Sequence, residues 1–255
     1  QDWIYRSKYR SSCLPALVEL AFRSRHRILK IITMTDNIYN PSTIEEVLGA
    51  LAIAGYLVTS PLTRAWYGRW GATDHEVEML LPGDDIVSKP ELTCTRAITI
   101  QAPKAVVWPW LVQMGQGRGG LYSYERLENL VGCEMHNADR IIPEYQHLEV
   151  GDKVRLVPEG RDLYFDVAII EPSRAIVLSG DAPPTTWAFI IESIEHNSTR
   201  LLVRWRQGYE PTLGNIIMWR FVTDPITFVM ERKLLQGIKV RAESVPSSHQ
   251  HGGIA

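Results

Sequence analysis

Thr95 to Gly120 reads TRAITIQAPKAVVWPWLVQMGQGRGG, and its apolar residues change spacing twice before glycine takes over. Thr95 to Ile100 alternate as a half-buried strand does, and Ala102-Pro103 brings the residue type that suits the first turn of a helix. From Ala105 to Met114, the residues Val106, Val107, Trp110, Leu111 and Met114 recur at helical spacing. Gly115, Gly117, Gly119 and Gly120 then stop the helix in a loop that carries one cation, Arg118. A phosphate cradle needs its glycines between a strand and the start of a helix. Here they follow the helix, and no Lys-Ser/Thr pair completes a P-loop, so nucleotide binding is not expected.

Upstream, VLGALAIAGYLVTSPLT (residues 47–63) runs without a charge, at the lower edge of the length that crosses a bilayer core. It is either a short anchor or a helix buried in the protein or lying at an interface, with Thr59, Ser60, Pro61 and Thr63 weakening its end. Before it, Leu14, Leu17, Val18, Ala21, Phe22, Ile28, Leu29 and Ile32 fall at helical spacing among basic residues. Residues 14–63 therefore offer either a lipid-facing stretch or, in part, a solvated arm. The first 33 residues hold Arg6, Lys8, Arg10, Arg23, Arg25, Arg27 and Lys30 against Asp2 and Glu19, about +5 by formal count. The remainder sums to about −7, in a chain whose net charge is −2, so acidic surfaces attract the N-terminal arm alone and no nucleic-acid partner is expected. Cys13, Cys94 and Cys133 are odd in number and far apart, which points to a reducing compartment and neither a disulfide framework nor a zinc knuckle. No cleavable signal peptide is read at the start, Met34 is a second candidate for the start of translation, and the expected location is cytoplasmic or membrane-associated.

The chain divides into a basic and hydrophobic helical extension (1–64), a turn-rich linker that wraps the domain (65–91), a folded domain (92–244) and a disordered tail (245–255). A short helix is expected from Tyr124 to Val131. Strands are expected at Asp152–Val157, Leu163–Glu171, Ala175–Gly180, Thr185–Ile194 and Arg200–Tyr209, joined by short turns as an antiparallel meander. Alternation puts Phe165, Val167 and Ile169 on one face of their strand, and likewise Trp187, Phe189 and Ile191, and Leu201, Val203 and Trp205. Arg204 and Arg206 then fall on an opposite face that is expected to be wet. Asp224-Pro225 starts a final helix in which Ile226, Met230, Leu234, Ile238 and Ala242 fall four apart, and Leu213 to Val222 reads as its helical lead-in.

This order resembles the helix-grip fold of the START-like or SRPBCC superfamily over Leu92 to Glu243. The resemblance lies in ITIQAPKAVVWPWLVQMGQGRGGLYSYERLENLVG, NADRIIPEYQHLEVGD and DPITFVMERKLLQGIK, which look like a bacterial subgroup labelled polyketide cyclase/dehydrase-like. WGATDHEVEMLLPGD also looks like that subgroup's pre-domain region, where a hydrophobic anchor is common; the anchor here is shorter. The resemblance implies an α+β fold in which a curved sheet grips the last helix around a cavity for apolar small molecules, and it does not choose one reaction.

The expected ligand is a hydrophobic, lipid-like or polycyclic small molecule. The candidate cavity residues are Trp110, Met114, Arg118, Tyr122, Tyr124, Phe165, Trp187, Trp205 and Met230, although in this fold core and cavity wall are nearly the same surface. Two alternatives stand beside binding. One is a cyclase/dehydratase-type enzyme using Tyr122, Tyr124, Asp166 or Arg118; the other is an interaction subunit whose N-terminal extension meets a protein partner. No GxSxG elbow or Cys-His pair points to hydrolase or thiol chemistry. His136, Asp139, Glu144, His147, Glu149 and Asp152 form the densest polar cluster but lack metal-ligand spacing, so no metal and no cofactor is expected.

Overall fold

The alternating runs become one sheet. In a computed structural model that describes residues 41–195 and 197–244, β1 (Leu92–Ile100), β2 (Lys153–Arg155), β3 (Tyr164–Glu171), β4 (Ala175–Asp181), β5 (Pro184–Glu195) and β6 (Ser198–Gln207) are all antiparallel. Their order is β1-β6-β5-β4-β3-β2, a meander whose last strand closes on the first. The helices are α1 (Pro41–Tyr67), α2 (Asp74–Glu78), α3 (Lys104–Val112), α4 (Glu125–Leu130) and α5 (Leu213–Ile216). From α5 the chain passes through a π-helical segment, Ile217–Thr223, into α6 (Asp224–Glu243). The apolar stripe from Leu14 to Ile32 and the tail from Val245 lie outside the described residues.

One face of the sheet presents Ile100, Val167, Leu178, Phe189, Ile191, Leu201 and Val203 to Val107 and Leu111 of α3 and to Leu234, Leu235, Ile238 and Ala242 of α6. At about 1.5–3 kcal/mol for each fully buried large side chain, this layer is the main driving force for the fold. The stripe on α6 differs from a strict spacing of four, because each step of four turns the helix about 40° past the previous residue. Its buried positions include Phe228, Glu231, Leu234, Leu235, Ile238 and Ala242, while Ile226 and Met230 are only half-buried.

The other face of the sheet is not wet. Ala97, Val177, Ala188, Ile190 and Leu202 pack under Leu81, with Ala72 and Met79, from the segment read as a linker. Arg204 is 3% exposed there. Its guanidinium donates to Thr95 Oγ1 (2.9 Å), Asp84 Oδ2 (2.7 Å) and the carbonyls of Met79 (2.8 Å), Glu76 (2.7 Å) and Val77 (2.9 Å). A buried arginine requires that many acceptors, and an irregular segment with free carbonyls supplies them. Arg200 adds Glu76 (2.7 Å) and the Gly71 carbonyl (2.6 Å), and Arg206 donates to the Val87 carbonyl (3.0 Å).

The glycine loop and α6 meet at Tyr122, which has φ +56 and is buried. Such a conformation is strained outside glycine and persists where the surroundings fix it. Asn137 Oδ1 accepts from its amide (2.6 Å), and its hydroxyl donates to the Trp110 carbonyl (3.0 Å). Gly237 of α6 is what lets the loop come so close: a Cβ there would stand 2.3 Å from the Tyr122 carbonyl oxygen. Gly237→Ala is therefore expected to destabilise the protein by about 2 kcal/mol despite alanine's better helix propensity. Gly55→Ala on α1, where nothing lies within 4 Å, should instead be neutral or stabilising by up to about 1 kcal/mol. Urea denaturation of the two variants reads this directly, and equal effects would refute the close-approach account.

Candidate functional site

The interior between the sheet and α6 begins with aromatic side chains that alternation aims the same way. Trp187 and Trp205 stand directly opposite each other on β5 and β6, with ring centroids 5.9 Å apart. Phe165 lies 5.9 Å from Trp187 and 5.8 Å from Trp205, and Phe189 lies 4.7 Å from Trp187. Trp110 from α3 and Tyr122 from the glycine loop make an edge-on pair at 5.7 Å. Six of the nine predicted cavity residues thus fall in one buried cluster: Trp110, Met114, Tyr122, Phe165, Trp187 and Trp205. The structure does not bring the other three to it. Tyr124 packs with Tyr67, Phe228 and Val229 beneath α1, and Met230 is half-buried beside Ser123. Arg118 turns away from the interior: it donates to the carbonyls of Val112 (3.1 Å), Tyr145 (2.8 Å) and His147 (3.3 Å), so it ties the end of α3 to the 145–147 loop.

The aromatic wall ends in charge. Trp187 Nε1 donates to Glu231 Oε1 (3.0 Å), and the other oxygen of Glu231 accepts from Arg96. Arg96, 1% exposed at the centre of β1, also donates to Asp224 Oδ1 (3.0 Å) and to the Tyr67 carbonyl (3.0 Å), with the Phe228 ring 5.2 Å from its guanidinium carbon. Arg64 Nε stands 3.3 Å from Asp224 Oδ2. Two arginines therefore face two carboxylates, and the group is neutral as a whole. Burial works against the Arg96 charge, but Glu231, Cys94 and Asp224 beside it outweigh that and hold its pKa above the ordinary arginine value. Sequence reading missed this network, although its signal was present: Arg96 shares a strand face with Ile98 and Ile100.

The same surroundings restrict the chemistry. Burial pushes the Cys94 thiol, which donates to Asp224 Oδ1 (3.4 Å), up to about 12. Burial also pushes Tyr67 up to about 12, with its hydroxyl sharing a hydrogen bond with Ser60 (2.9 Å). Neither group ionises near neutral pH, so neither supplies a nucleophile or a base there. Asp166 alternates with Phe165 and Val167 and so points to the other face of the sheet, opposite Lys153 of β2. Among the described residues, no group of three or more His, Cys, Asp or Glu side chains is placed to hold a metal. In the loop cluster, Asp152 Oδ2 accepts from the Glu149 amide (2.8 Å) and His136 stands 3.4 Å from Glu125.

A groove of about 1000 Å³ runs along the side of α6 opposite its core-facing stripe, floored by Lys233, Gly237, Val240 and Arg241 and walled by Trp70, Ile98 and Glu46. Its lysines and Arg241 already have partners. Lys233 meets Glu45 (2.7 Å), Lys239 meets Glu243 (2.8 Å) and Arg241 donates to the Ala138 carbonyl (2.8 Å).

No protein-family model matches the chain, and no curated protein matches it. Solved structures do. A Polyketide_cyc-like protein from Corynebacterium glutamicum is 18% identical with a TM-score of 0.33, the alignment covering 63% of this chain and 97% of that one. A protein from Staphylococcus saprophyticus is 12% identical with a TM-score of 0.36, covering 60% and 92%. CalU16 from Micromonospora echinospora is 14% identical with a TM-score of 0.29, covering 60% and 84%. Likenesses of this size carry no argument about activity. The strand order, the antiparallel meander and the last helix held against the sheet are the chain's own features, and they give it an α+β helix-grip architecture.

Proposed function

We propose that the protein binds a hydrophobic, lipid-like or polycyclic small molecule between α6 and the sheet, and that it does so at a membrane, where such molecules partition. The observation that carries the reading is the wall of Phe165, Trp187, Phe189 and Trp205 ending at a neutral set of charges. A neutral set exerts little net field on a ligand, so the favoured ligand is uncharged and mostly apolar. These rings touch one another, so a ligand enters by parting aromatic contacts worth about 0.5–1.5 kcal/mol each. A binding role also agrees with the raised pKa values of Cys94 and Tyr67, which keep both groups un-ionised near neutral pH.

Organic extraction of the purified full chain followed by mass spectrometry tests the reading, together with titration of tryptophan fluorescence by an uncharged polycyclic probe. A co-purifying apolar compound, or saturable quenching that weakens about tenfold in Trp205→Ala, is the expected result. Repeated extraction without a compound, together with no saturable quenching, would rule the reading out.

A further inference from the structure

α1 is amphipathic in the reverse sense to a water-facing helix. Ile44, Leu48, Leu51, Val58 and Leu62 recur at three-, four- and seven-residue spacing and point away from the domain; Leu51 is 63%, Val58 81% and Leu62 88% exposed. The opposite side packs Ala52, Ile53, Tyr56 and Tyr67 on the domain and carries polar residues that hold it at both ends. Glu46 accepts from the amides of Arg126 (3.1 Å) and Leu127 (3.3 Å), and Thr43 accepts from the Arg126 guanidinium (2.6 Å). Ser60 donates to the Arg220 carbonyl (3.3 Å), and Arg64 pairs with Asp224.

By length and composition alone, Ser42–Tyr67 is apolar enough to cross a membrane. Its attachments forbid that while it is seated. They run from Thr43 to Arg64, so no stretch of roughly 20 residues is free to span, and upright insertion would carry Lys233–Glu45 and Arg64–Asp224 into hydrocarbon. A second helix packing on such a face in water is commonly oriented by charged flanks, yet no side of α1 carries a charge from Val47 to Thr63. Lipid requires no such flanks. Exposed Trp66 sits at the end of the stripe, a residue type that settles at headgroup level, and exposed Leu213 and Ile217 add apolar surface on the helical segment next to α1. The chain before α1 brings a formal charge of about +5 in its first 33 residues, which complements anionic headgroups.

We propose that α1 lies flat on an anionic phospholipid bilayer, its apolar face at the acyl-chain boundary and its polar face still holding the domain. This rests on the membrane clause of the proposed function and fixes its geometry. The test uses the full chain with phosphatidylcholine vesicles, with and without phosphatidylserine, in a flotation assay. Val58→Cys, in a Cys13→Ser background and labelled with an environment-sensitive fluorophore, reports depth through lipids brominated near the headgroup or at the chain end.

The expected result is stronger flotation with phosphatidylserine, about a hundredfold weaker partitioning of Leu51→Glu/Val58→Glu/Leu62→Glu with unchanged circular dichroism, and quenching chiefly by the shallow bromines. Leu62→Glu alone, at the most exposed position, carries the test if the triple variant folds poorly. Quenching chiefly by chain-end bromines would overturn the flat placement and leave membrane attachment standing. Equal flotation with and without phosphatidylserine would overturn the anionic preference. No flotation of the unaltered chain would overturn the membrane clause too, without touching ligand binding, which extraction reads separately. A dimer that the triple variant dissociates, seen without flotation, would assign the face to a second copy.

Discussion

Arg96→Leu is expected to destabilise the protein by about 3–5 kcal/mol. The loss does not measure the attraction within the network. It measures what remains: Glu231 and Asp224, each about 2% exposed at the side chain, would stay in the interior with their main counter-charge gone. Trp187 Nε1 would still donate to Glu231, but one neutral donor replaces little of a guanidinium. The double variant Arg96→Leu/Glu231→Leu separates the two accounts. It removes one charge of each sign and leaves Arg64 to face Asp224, so more than half of the lost stability should return. Urea midpoints of the single and double variants decide it; a single variant within about 1 kcal/mol of the unaltered chain would mean that the charges reach water.

Glu128→Gln is expected to flatten the pH dependence of stability. Glu128 lies on α4, 7% exposed, with Oε2 unpartnered, and burial, followed by the charges of Glu46 and Glu125, raises its pKa from 4.5 to about 8. The sign follows from proton binding. Between pH 4.5 and about 8 the folded chain keeps a proton that the unfolded chain has released, so stability falls as pH rises through that window and reaches its full cost above it. That cost is on the order of 4–5 kcal/mol, of which roughly 3 falls between about pH 6 and about pH 9. Glutamine keeps the shape and cannot ionise, so the variant should be the more stable protein at the alkaline end, by denaturation at the two pH values. Parallel pH profiles for the two proteins would sink the assignment.

The elements were legible because each rests on a local period. Alternation in Phe165-Asp166-Val167 and Leu201 to Trp205 survives into the sheet because the large apolar side chains of one face join a single core cluster, and a slip of one residue would turn them out of it. The packed aromatic residues were legible for the same reason. What escaped is what depends on partners distant in sequence. Arg96 and Glu231 each interrupt an apolar face with a charge, of opposite sign, 135 residues apart; either alone reads as a flaw, and only the fold makes them a pair. Arg204 misled for the converse reason. Its strand face reads as open until Glu76, Val77 and Met79 turn their carbonyls to it, and turn-rich sequence carries no period from which such aim can be read. Arg118 read as a cavity residue because its acceptors are backbone oxygens, which every residue carries and no motif marks.

The segment from Gly68 to Glu91 has one further effect. β1 is an outer strand of an open sheet, and its outward amides at Thr95 and Ala97 donate to the carbonyls of Gly68 (2.9 Å) and Trp70 (3.0 Å). An unpaired margin of this kind is a template for pairing with another chain, and the alanine- and valine-lined face beside it would favour stacking. The stretch that reads as a linker is thus the device that keeps copies of this molecule from joining edge to edge. A version cut at Leu92 would lose its resistance to aggregation along with its contacts.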